Sequence, residues 1–201
     1  MIIIEPSVSC ISITDDAERL IEYAGRTIYG TADKIQEGTS DGFIYSLITH
    51  NLDYILKHAY ATLKFTVDRF TSHELLKTVE GAFCEEDLRF VKYAGRNTFG
   101  EIVVIAPPEL HTNDWKDWEA SCLAAEVGYK SLIRRQVPPR IAQAVLPMCL
   151  KTETIITARF TEWRKLIQTR KSAKEHPTMQ SIVKMVHILL KEKAPACFGD
   201  L

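Results

Sequence analysis

The alternation of apolar and polar positions predicts one strand more clearly than any other element. Within residues 59–68 the apolar side chains recur at every second position, at Ala61, Leu63, Phe65 and Val67. A period of two is what a strand with one buried face requires. We therefore predict a half-buried strand over this segment. Weaker patterns predict two more strands, over residues 1–13 and 101–105.

Apolar residues spaced by three and four positions predict the helices. In chain order these cover residues 14–30, 41–56, 70–78, 115–135, 139–147, 161–169 and 177 onward. Thr14 and Thr161 are candidate N-caps, and Gly30 is expected to end the first helix. The Pro138-Pro139 pair and Pro177 stand at helix starts, where a missing backbone N–H is tolerated.

Together these elements predict an α+β fold, with an antiparallel or mixed sheet flanked by long helices. The second half of the chain is predicted to be helical. Residues 81–100 contain three glycines and mixed charge, and we predict a long irregular segment there, of the kind that is usually functional or disordered. The length of 201 residues suits one domain, so we predict a single domain over residues 1–201.

Composition and charge exclude several classes of protein. The chain is 46% hydrophobic, and 25 Lys and Arg stand against 26 Asp and Glu. This balance argues against a disordered tail and against nucleic-acid binding by bulk positive charge. Apolar runs are far shorter than the roughly 18 residues that cross a bilayer, and no basic leader precedes the first apolar run. We therefore expect a cytoplasmic protein without a membrane or nucleic-acid partner.

The cysteines and histidines indicate no metal site. Five cysteines are scattered without a Cys-x-x-Cys pair, and six histidines form no metal-binding spacing. The cysteines are interpreted as buried or half-buried thiols, and none is expected to form a disulfide framework. His58, at the entry to the predicted strand, is as a single residue better explained as a surface or hydrogen-bonded histidine than as a functional one.

Two charged patches could bind an anion. In the first, His73 to Lys77 lead into Glu85-Glu86-Asp87 and Arg89, which together form either a solvated loop or a phosphate site built from backbone N–H groups and the Arg89 guanidinium. Three adjacent acids would oppose a dianion unless their side chains turn away. In the second patch, Arg170 closes a helix and either reaches a ligand phosphate or complements the helix dipole. The residues alone therefore indicate at most a protein for an anionic ligand.

The order of these segments resembles the flavin-dependent thymidylate synthase family. In the second half the similarity rests on Ala142 to Pro147, Lys151-Thr-Glu153, Ile156-Thr157, Glu162-Trp-Arg164, Arg170 and His176-Pro177. In the first half it rests on Leu56 to Ala59, Arg69, His73-Glu74, Arg89-Phe90, Phe99-Gly100 and Pro107-Pro108. The resemblance extends from about Ile11 to Phe198, which is nearly the whole chain.

The resemblance implies a homotetramer with active sites between subunits. Each site would hold FAD and a pyrimidine nucleotide, with methylenetetrahydrofolate as carbon donor and NADPH as reductant. In this family a flavin hydride takes the place of a protein nucleophile in forming the C5-methyl group. The protein then positions ligands and stabilises charge. None of the five cysteines is needed as a nucleophile.

The family signature, Arg-His-Arg-x-x-Ser, is altered in this sequence. The corresponding positions hold Lys77, Thr78, Val79 and Ala82, and Asp87 replaces a serine next to the nucleotide. Further departures affect both ligands: Glu74 replaces a glutamine and Gln143 an arginine at the nucleotide, while Arg159, Thr161 and Lys165 replace flavin-binding residues. Loss of a bidentate arginine matters because a lysine offers only a point charge.

The resemblance also assigns roles to residues that match or replace the family's site. Arg89 and Arg170 would hold the nucleotide phosphate and act as the catalytic arginines. Other nucleotide contacts are expected from Glu74, Glu85, Glu86, Asp87 and Gln143. Flavin contacts are expected from His58, Lys77, Thr78, Val79, Glu85, Arg159 and Lys165.

Two functions remain open on these residues. The first is an enzyme that methylates a pyrimidine nucleotide at C5, converting dUMP to dTMP or acting on a close variant such as UMP or dCMP, or by hydroxymethylation. An altered nucleotide site would then mean an altered substrate. The second is a paralogue without flavin that serves as a regulatory or structural subunit, since residues of both ligand sites are lost together. New cations at Arg159 and Lys165 favour the enzyme.

Overall fold

The computed structural model describes residues 1–89, 101–172 and 174–201. The strands are β1 Ile2–Ile4, β2 Ser7–Ile13, β3 Tyr60–Asp68, β4 Ala82–Glu85, β5 Val103–Ile105 and β6 Lys151–Arg159. The α-helices are α1 Ala17–Ile28, α2 Thr39–Thr49, α3 Arg69–Thr78, α4 Thr112–Arg134, α5 Pro139–Ala142, α6 Phe160–Arg170, α7 Pro177–Lys193 and α8 Pro195–Phe198. Short 3-10 turns cover Ala32–Lys34, Asp53–His58 and Gln143–Val145.

The strands form two sheets. β1 and β5 pair in parallel, with Ile2 opposite Val103 and Ile4 opposite Ile105. The larger sheet is antiparallel and has the strand order β2-β3-β6-β4. The predicted α+β class with an antiparallel or mixed sheet is therefore confirmed. No helix in the described part of the chain is long and apolar enough to cross a membrane.

The chain divides into two compact units, each assembled from separate stretches of sequence. The first consists of Met1–Ser7, Phe65–Glu74 and Cys84–Thr154. Its core includes Ile102, Val104, Tyr129, Ala142 and Leu150. The second consists of Val8–Lys64, Leu75–Phe83 and Ile155–Leu201. The assignment of the whole chain to a single domain stays a prediction.

The core of the second unit is centred on α6. Trp163 is fully buried, and its indole N–H lies within hydrogen-bonding distance of the carbonyls of Ala61 (3.2 Å) and Ala158 (3.1 Å), so one side chain ties α6 to β3 and β6. Phe160 packs edge-on against Phe198, with 5.0 Å between ring centroids. These contacts satisfy the one polar atom of a large buried ring and fix the helix against the sheet.

Several predicted boundaries are confirmed. Gly30 ends the first helix in the left-handed conformation, with φ +61°, and Pro139 and Pro177 each stand in a first helical turn. The strand over 59–68 is β3, and its apolar positions are buried as predicted. Part of the predicted irregular segment, residues 90–100, lies outside the described residues.

Two strands contradict the sequence prediction. The second half of the chain is not all helical, because residues 151–159 form β6. The predicted irregular segment contains β4. In β6 two of the buried positions are threonines, Thr152 and Thr154, so the inward face looks polar in the sequence. The Thr154 hydroxyl is paired with Ser72 at 2.7 Å, which removes the cost of burying it.

The predicted helix starts at Thr14 and Thr161 and the predicted end of the second helix are wrong. Thr14 exchanges hydrogen bonds with the backbone of Tyr60, beside the sheet, and α1 begins only at Ala17. Thr161 lies inside α6, whose N-cap position is Arg159. The second helix ends at Thr49 and not near residue 56, because Asn51 takes the left-handed conformation, with φ +57°.

A partly buried ion pair joins α6 to the residues that follow α8. Both terminal nitrogens of Arg164 donate to the Asp200 carboxylate at 2.6 Å, and one also donates to the Cys197 carbonyl. The Arg164 side chain is 4% exposed and that of Asp200 31%. Hydrogen bonds from Arg164 hold the pKa of Asp200 below its usual range. A carboxyl group whose pKa is depressed by folding stabilises the protein above its unfolded-state pKa.

We expect Asp200→Asn to lower the free energy of unfolding at pH 7 by about 2–3 kcal/mol, somewhat less than for a fully buried pair because Asp200 is partly exposed. The contribution of Asp200 is present above its unfolded-state pKa of about 3.9 and is lost as the pH falls through the lower folded-state value. Urea unfolding between pH 3 and pH 7 should therefore show a weaker pH dependence in the variant. Glu192→Gln, at an exposed position of α7, is the control. Equal pH dependence in the Asp200 variant and the native protein would contradict this account.

Candidate active site

Residues 85–89, in the first unit, form an acidic segment whose three carboxylates are each paired. The Glu85 carboxylate lies 3.4 Å from an Arg69 nitrogen, and Thr152 donates to it at 3.3 Å. The Glu86 carboxylate accepts from Lys151 Nζ at 3.1 Å. The Asp87 carboxylate accepts from Arg89. Each of the three acids that would oppose an anionic ligand thus has a basic partner within the unit, although Lys151 is shared with Glu153.

The backbone of this segment is held by β6 and by the start of α3. The Glu86 N–H donates to the Glu153 carbonyl at 2.9 Å, and the Glu153 N–H donates back to the Glu86 carboxylate at 3.2 Å. One Arg69 terminal nitrogen donates to the Glu86 carbonyl at 2.7 Å. These bonds continue the pairing of β4 with β6 beyond the end of β4 and leave the segment few alternative conformations.

Arg89, the predicted phosphate ligand, is bound to its neighbour Asp87. The Asp87 carboxylate accepts from the Arg89 backbone N–H at 2.8 Å and from its Nε at 2.8 Å. Because of these hydrogen bonds, the pKa of Asp87 lies below its usual value and that of Arg89 above it. Both groups are therefore charged at neutral pH, and an anionic ligand at Arg89 competes with the Asp87 carboxylate.

The other predicted nucleotide ligands of the first unit are Glu74 and Gln143. Glu74 lies half-buried on α3. Gln143 donates its amide N–H to the Arg140 carbonyl at 3.0 Å, while its amide oxygen is buried without a partner among the described residues. An unpaired buried acceptor costs about 1–3 kcal/mol unless a partner reaches it. This position can therefore accept a hydrogen bond, where an arginine would donate one.

In the second unit, Arg170 and Thr78 are brought together. Arg170 donates from Nε and a terminal nitrogen to Thr78 Oγ1 at 3.2 and 2.8 Å. Its other terminal nitrogen contacts both oxygens of Glu175 at 3.1 Å. A predicted phosphate ligand and a predicted flavin ligand are thus neighbours, although they are 92 positions apart in the sequence. Glu175, which the sequence analysis did not single out, neutralises the arginine.

An open cavity of about 480 Å³ lies in the second unit beside the start of α6. It is lined by Lys57, Tyr60, Glu80, Gly81, Thr157, Ala158, Arg159 and Glu162. Its volume falls within the range of small-molecule sites, which is about 300–1,000 Å³. Glu162 is one of the lining residues, and its Oε2 is buried without a hydrogen-bond partner among the described residues.

The close approach of two strands explains why a glycine lines this cavity. A Cβ added to Gly81 would stand 2.4 Å from the Thr157 carbonyl oxygen, far inside van der Waals contact. A larger residue would push the start of β4 away from β6. The absence of a side chain at Gly81 therefore allows the chain to approach Thr157 closely in the cavity wall.

The remaining predicted flavin ligands differ in exposure. All four basic residues of this set are exposed. Arg159 is the one that lines the cavity, and the other three are His58, Lys77 and Lys165. Val79 is 4% exposed, so its side chain is part of the core and only its backbone is available to a ligand. Glu85 belongs to the first unit.

Sequence reasoning missed the residues that support the site from behind. The sequence marks Arg69 and Lys151 only as matches to the family, and it gives no local signal for Glu175. Lys57, Tyr60, Glu80 and Glu162 were not assigned to a ligand either, although they line the cavity. The available signal was the charge balance, since an acidic run such as Glu85-Glu86-Asp87 needs basic partners when it is partly buried.

Comparison with known proteins identifies the family. A family model described as thymidylate synthase complementing protein, Thy1, matches residues 9–196. Flavin-dependent thymidylate synthases from Corynebacterium diphtheriae and Mycobacteroides abscessus are each 27% identical to the chain. The two alignments cover 94% and 97% of this chain and 81% and 84% of the relatives.

A solved structure shares the fold. A UMP/dUMP methylase, PolB from Streptomyces cacaoi, bound with 5-Br dUMP, superposes with a TM-score of 0.80 at 16% identity, covering 99% of this chain and 96% of that one. The protein is a methyltransferase-type enzyme. It belongs to the thymidylate synthase complementing protein family, which is the family of the flavin-dependent thymidylate synthases. The resemblance inferred from the sequence is thereby confirmed.

Proposed function

We propose that the protein catalyses flavin- and folate-dependent methylation of a pyrimidine nucleotide at C5, with dUMP to dTMP as the parent reaction and UMP, dCMP or hydroxymethylation as close variants. The observation that carries this proposal is the family match over residues 9–196. The relatives named flavin-dependent thymidylate synthase and the structural neighbour described as a UMP/dUMP methylase support it. Methylenetetrahydrofolate would donate the carbon, and NADPH would supply the electrons.

The residues that line the cavity beside α6 support the flavin part of this proposal. A flavin combines a planar ring system bearing an imide N–H with an anionic phosphate portion. Here Arg159 and Lys57 offer positive charge, Tyr60 an aromatic face, and Glu162 Oε2 an unpaired acceptor. Arg159 would hold the phosphate portion and Glu162 the imide. When bound, the flavin supplies the hydride that completes the methyl group.

The protein's own part in the reaction is to bind and orient the nucleotide. Arg89 would contact the phosphate, together with the backbone N–H groups of Asp87 and Leu88, since the Glu86 N–H donates to Glu153. In the second unit, Arg170 is a further candidate phosphate ligand. Both arginines already have carboxylate neighbours, Asp87 and Glu175, which hold their guanidinium groups in place. We therefore propose that the nucleotide competes with these carboxylates, so that binding is weaker than with unopposed arginines.

The proposed assembly is a homotetramer, and the first unit has a surface suited to association. We define the α4–α5 patch as five exposed apolar residues: Leu123, Val127, Ile141, Val145 and Met148. The elements that carry it lie together, since Val145 is 3.9 Å from the position of a Cβ on Gly128 in α4. Contiguous exposed apolar surface on a globular protein favours burial against a partner. A second copy of the chain is the partner we propose.

The flavin proposal is tested by the visible absorption spectrum of the purified protein. We expect flavin bands, or their appearance with quenched fluorescence when FAD is added. Arg159→Ala should weaken FAD binding by about tenfold or more, because a charge-assisted contact to phosphate is lost. Lys184→Ala, an exposed position on α7, should leave it unchanged. A colourless native protein that does not take up FAD would favour the alternative, a subunit without flavin.

The nucleotide proposal is tested by calorimetry with dUMP, UMP and dCMP. Arg89→Ala should weaken binding of the preferred nucleotide by about tenfold or more. Asp87→Asn keeps the shape of the side chain but removes the charge that competes for Arg89, so we expect tighter binding. The two variants together distinguish an effect of charge from an effect of misfolding. They alter the same ion pair, but a charge effect shifts the affinity in opposite directions, whereas misfolding would lower it in both. Unchanged binding in both would show that Arg89 does not hold the phosphate.

The assembly is tested at the most exposed residue of the α4–α5 patch, Val127, which is 65% exposed. Val127→Lys places a charge in the middle of the apolar surface and should convert the tetramer to smaller species in sedimentation velocity. Ser121→Lys makes a comparable change on the same helix outside the patch and should leave the tetramer intact. If the Val127 variant sediments as the native protein does, this surface is not the interface.

A further inference from the structure

Arg69 is the first residue of α3 and the only described side chain that contacts both Glu85 and the Glu86 backbone carbonyl. One guanidinium nitrogen donates to that carbonyl at 2.7 Å, and another lies 3.4 Å from the Glu85 carboxylate. Its own backbone N–H lies 3.1 Å from both the Met148 and the Leu150 carbonyls, so the residue is anchored at both ends.

The Arg69 guanidinium contacts Glu85 and Glu86 although its Nε has no hydrogen-bond partner among the described residues. Arg69 Nε is buried and forms no hydrogen bond within the described residues. Unsatisfied buried donors are rare in native proteins, and those that persist require an explanation. Here the two terminal nitrogens of the guanidinium face the Glu85 carboxylate and the Glu86 carbonyl, while Nε is left without a hydrogen-bond acceptor among the described residues. A group whose sole task was to neutralise Glu85 would not need to reach the neighbouring carbonyl as well.

The charges of the segment show what this contact achieves. Glu85, Glu86 and Asp87 carry three negative charges, and Arg69, Lys151 and Arg89 are their respective partners. Lys151 forms ion pairs with both Glu86 and Glu153, and Arg89 is in contact with Asp87. Removal of Arg69 would leave the Glu85 carboxylate without its basic partner in the segment that is proposed to receive a phosphate. The resulting repulsion acts on the charge of the ligand and not on its base or sugar.

We propose that Arg69 is a positioning residue that makes the acidic segment 85–87 compatible with a nucleotide phosphate, by neutralising Glu85 and fixing the Glu86 backbone. This inference rests on the proposed function, since it assumes that the segment binds a pyrimidine nucleotide. It adds a residue that contacts no ligand itself and acts through Glu85 and Glu86. It also predicts a specific pattern: loss of Arg69 harms the binding of a phosphorylated ligand more than that of the same ligand without phosphate.

The experiment compares 2′-deoxyuridine 5′-monophosphate with 2′-deoxyuridine by calorimetry on the full chain. In the native protein the monophosphate should bind more tightly than the nucleoside. Arg69→Gln removes both the charge and the fork, so we expect both ligands to bind less tightly and the preference for the monophosphate to fall by about tenfold or more. Arg69→Lys keeps the charge but not the fork, so both ligands should bind less tightly and the preference should remain.

Arg26→Gln is the matched control. Arg26 is an arginine of similar burial, 13% exposed against 19% for Arg69, and its Nε pairs with Glu22 at 2.6 Å in the second unit. It contacts none of residues 85–89, so its loss should lower thermal stability without changing the ratio of the two affinities. If Arg69→Gln does not fold, Glu85→Gln decides the question. It leaves the Arg69 charge without its carboxylate partner, so the preference for the monophosphate should rise, whereas a purely structural arginine predicts an unchanged preference.

The outcomes separate the inference from the proposed function. If the native protein binds neither ligand, the proposed function fails, and the inference fails with it. If the native protein prefers the monophosphate and Arg69→Gln keeps that preference unchanged, the inference alone is overturned. Equal losses for both ligands in Arg69→Gln would also overturn it, since they would show that Arg69 acts only on the shape of the site.

Discussion

The pairing of β3 with β6 is the interaction on which the other features depend. The Phe160 N–H donates to the Ala59 carbonyl at 2.9 Å, and the hydroxyls of Thr62 and Thr157 meet at 2.9 Å across the two strands. Each strand runs directly into a helix that carries candidate site residues, β3 into α3 and β6 into α6. The register of one strand pair therefore sets where both helices begin, and with them the positions of their arginines.

Charge compensation is the second constraint, and each unit meets it locally. In the first unit three acids of one short segment have three basic partners, and in the second Glu175 pairs with Arg170. This arrangement gives a net charge of −1 for the whole chain a different meaning. The total charge says little about an anionic ligand, because a binding site depends on a few cations placed within several ångströms of it.

Particular residues show how far the sequence allowed prediction. The period of two in β3 was visible because its inward positions are apolar, whereas β6 escaped because it buries Thr152 and Thr154, which a hydropathy pattern counts as polar. Thr14 has the chemistry of a helix cap, but it bonds to the backbone of Tyr60, which lies 46 positions away. Arg89 is recognisable in the sequence as a candidate phosphate ligand because it carries a guanidinium group. Its pairing with Asp87 depends on the local backbone conformation.

By itself the sequence determined the family, the α+β class and the helices with strong apolar spacing, because these follow from motif order and from periodicities that act over a few residues. Only the tertiary structure decided which charges neutralise each other and which acceptors remain unpaired. Arg170 meets Thr78 across 92 positions, and Lys151 meets Glu86 across 65. Such contacts arise when the chain folds back on itself, so no local pattern encodes them. They convert a list of charged residues into a site with a defined electrostatic balance.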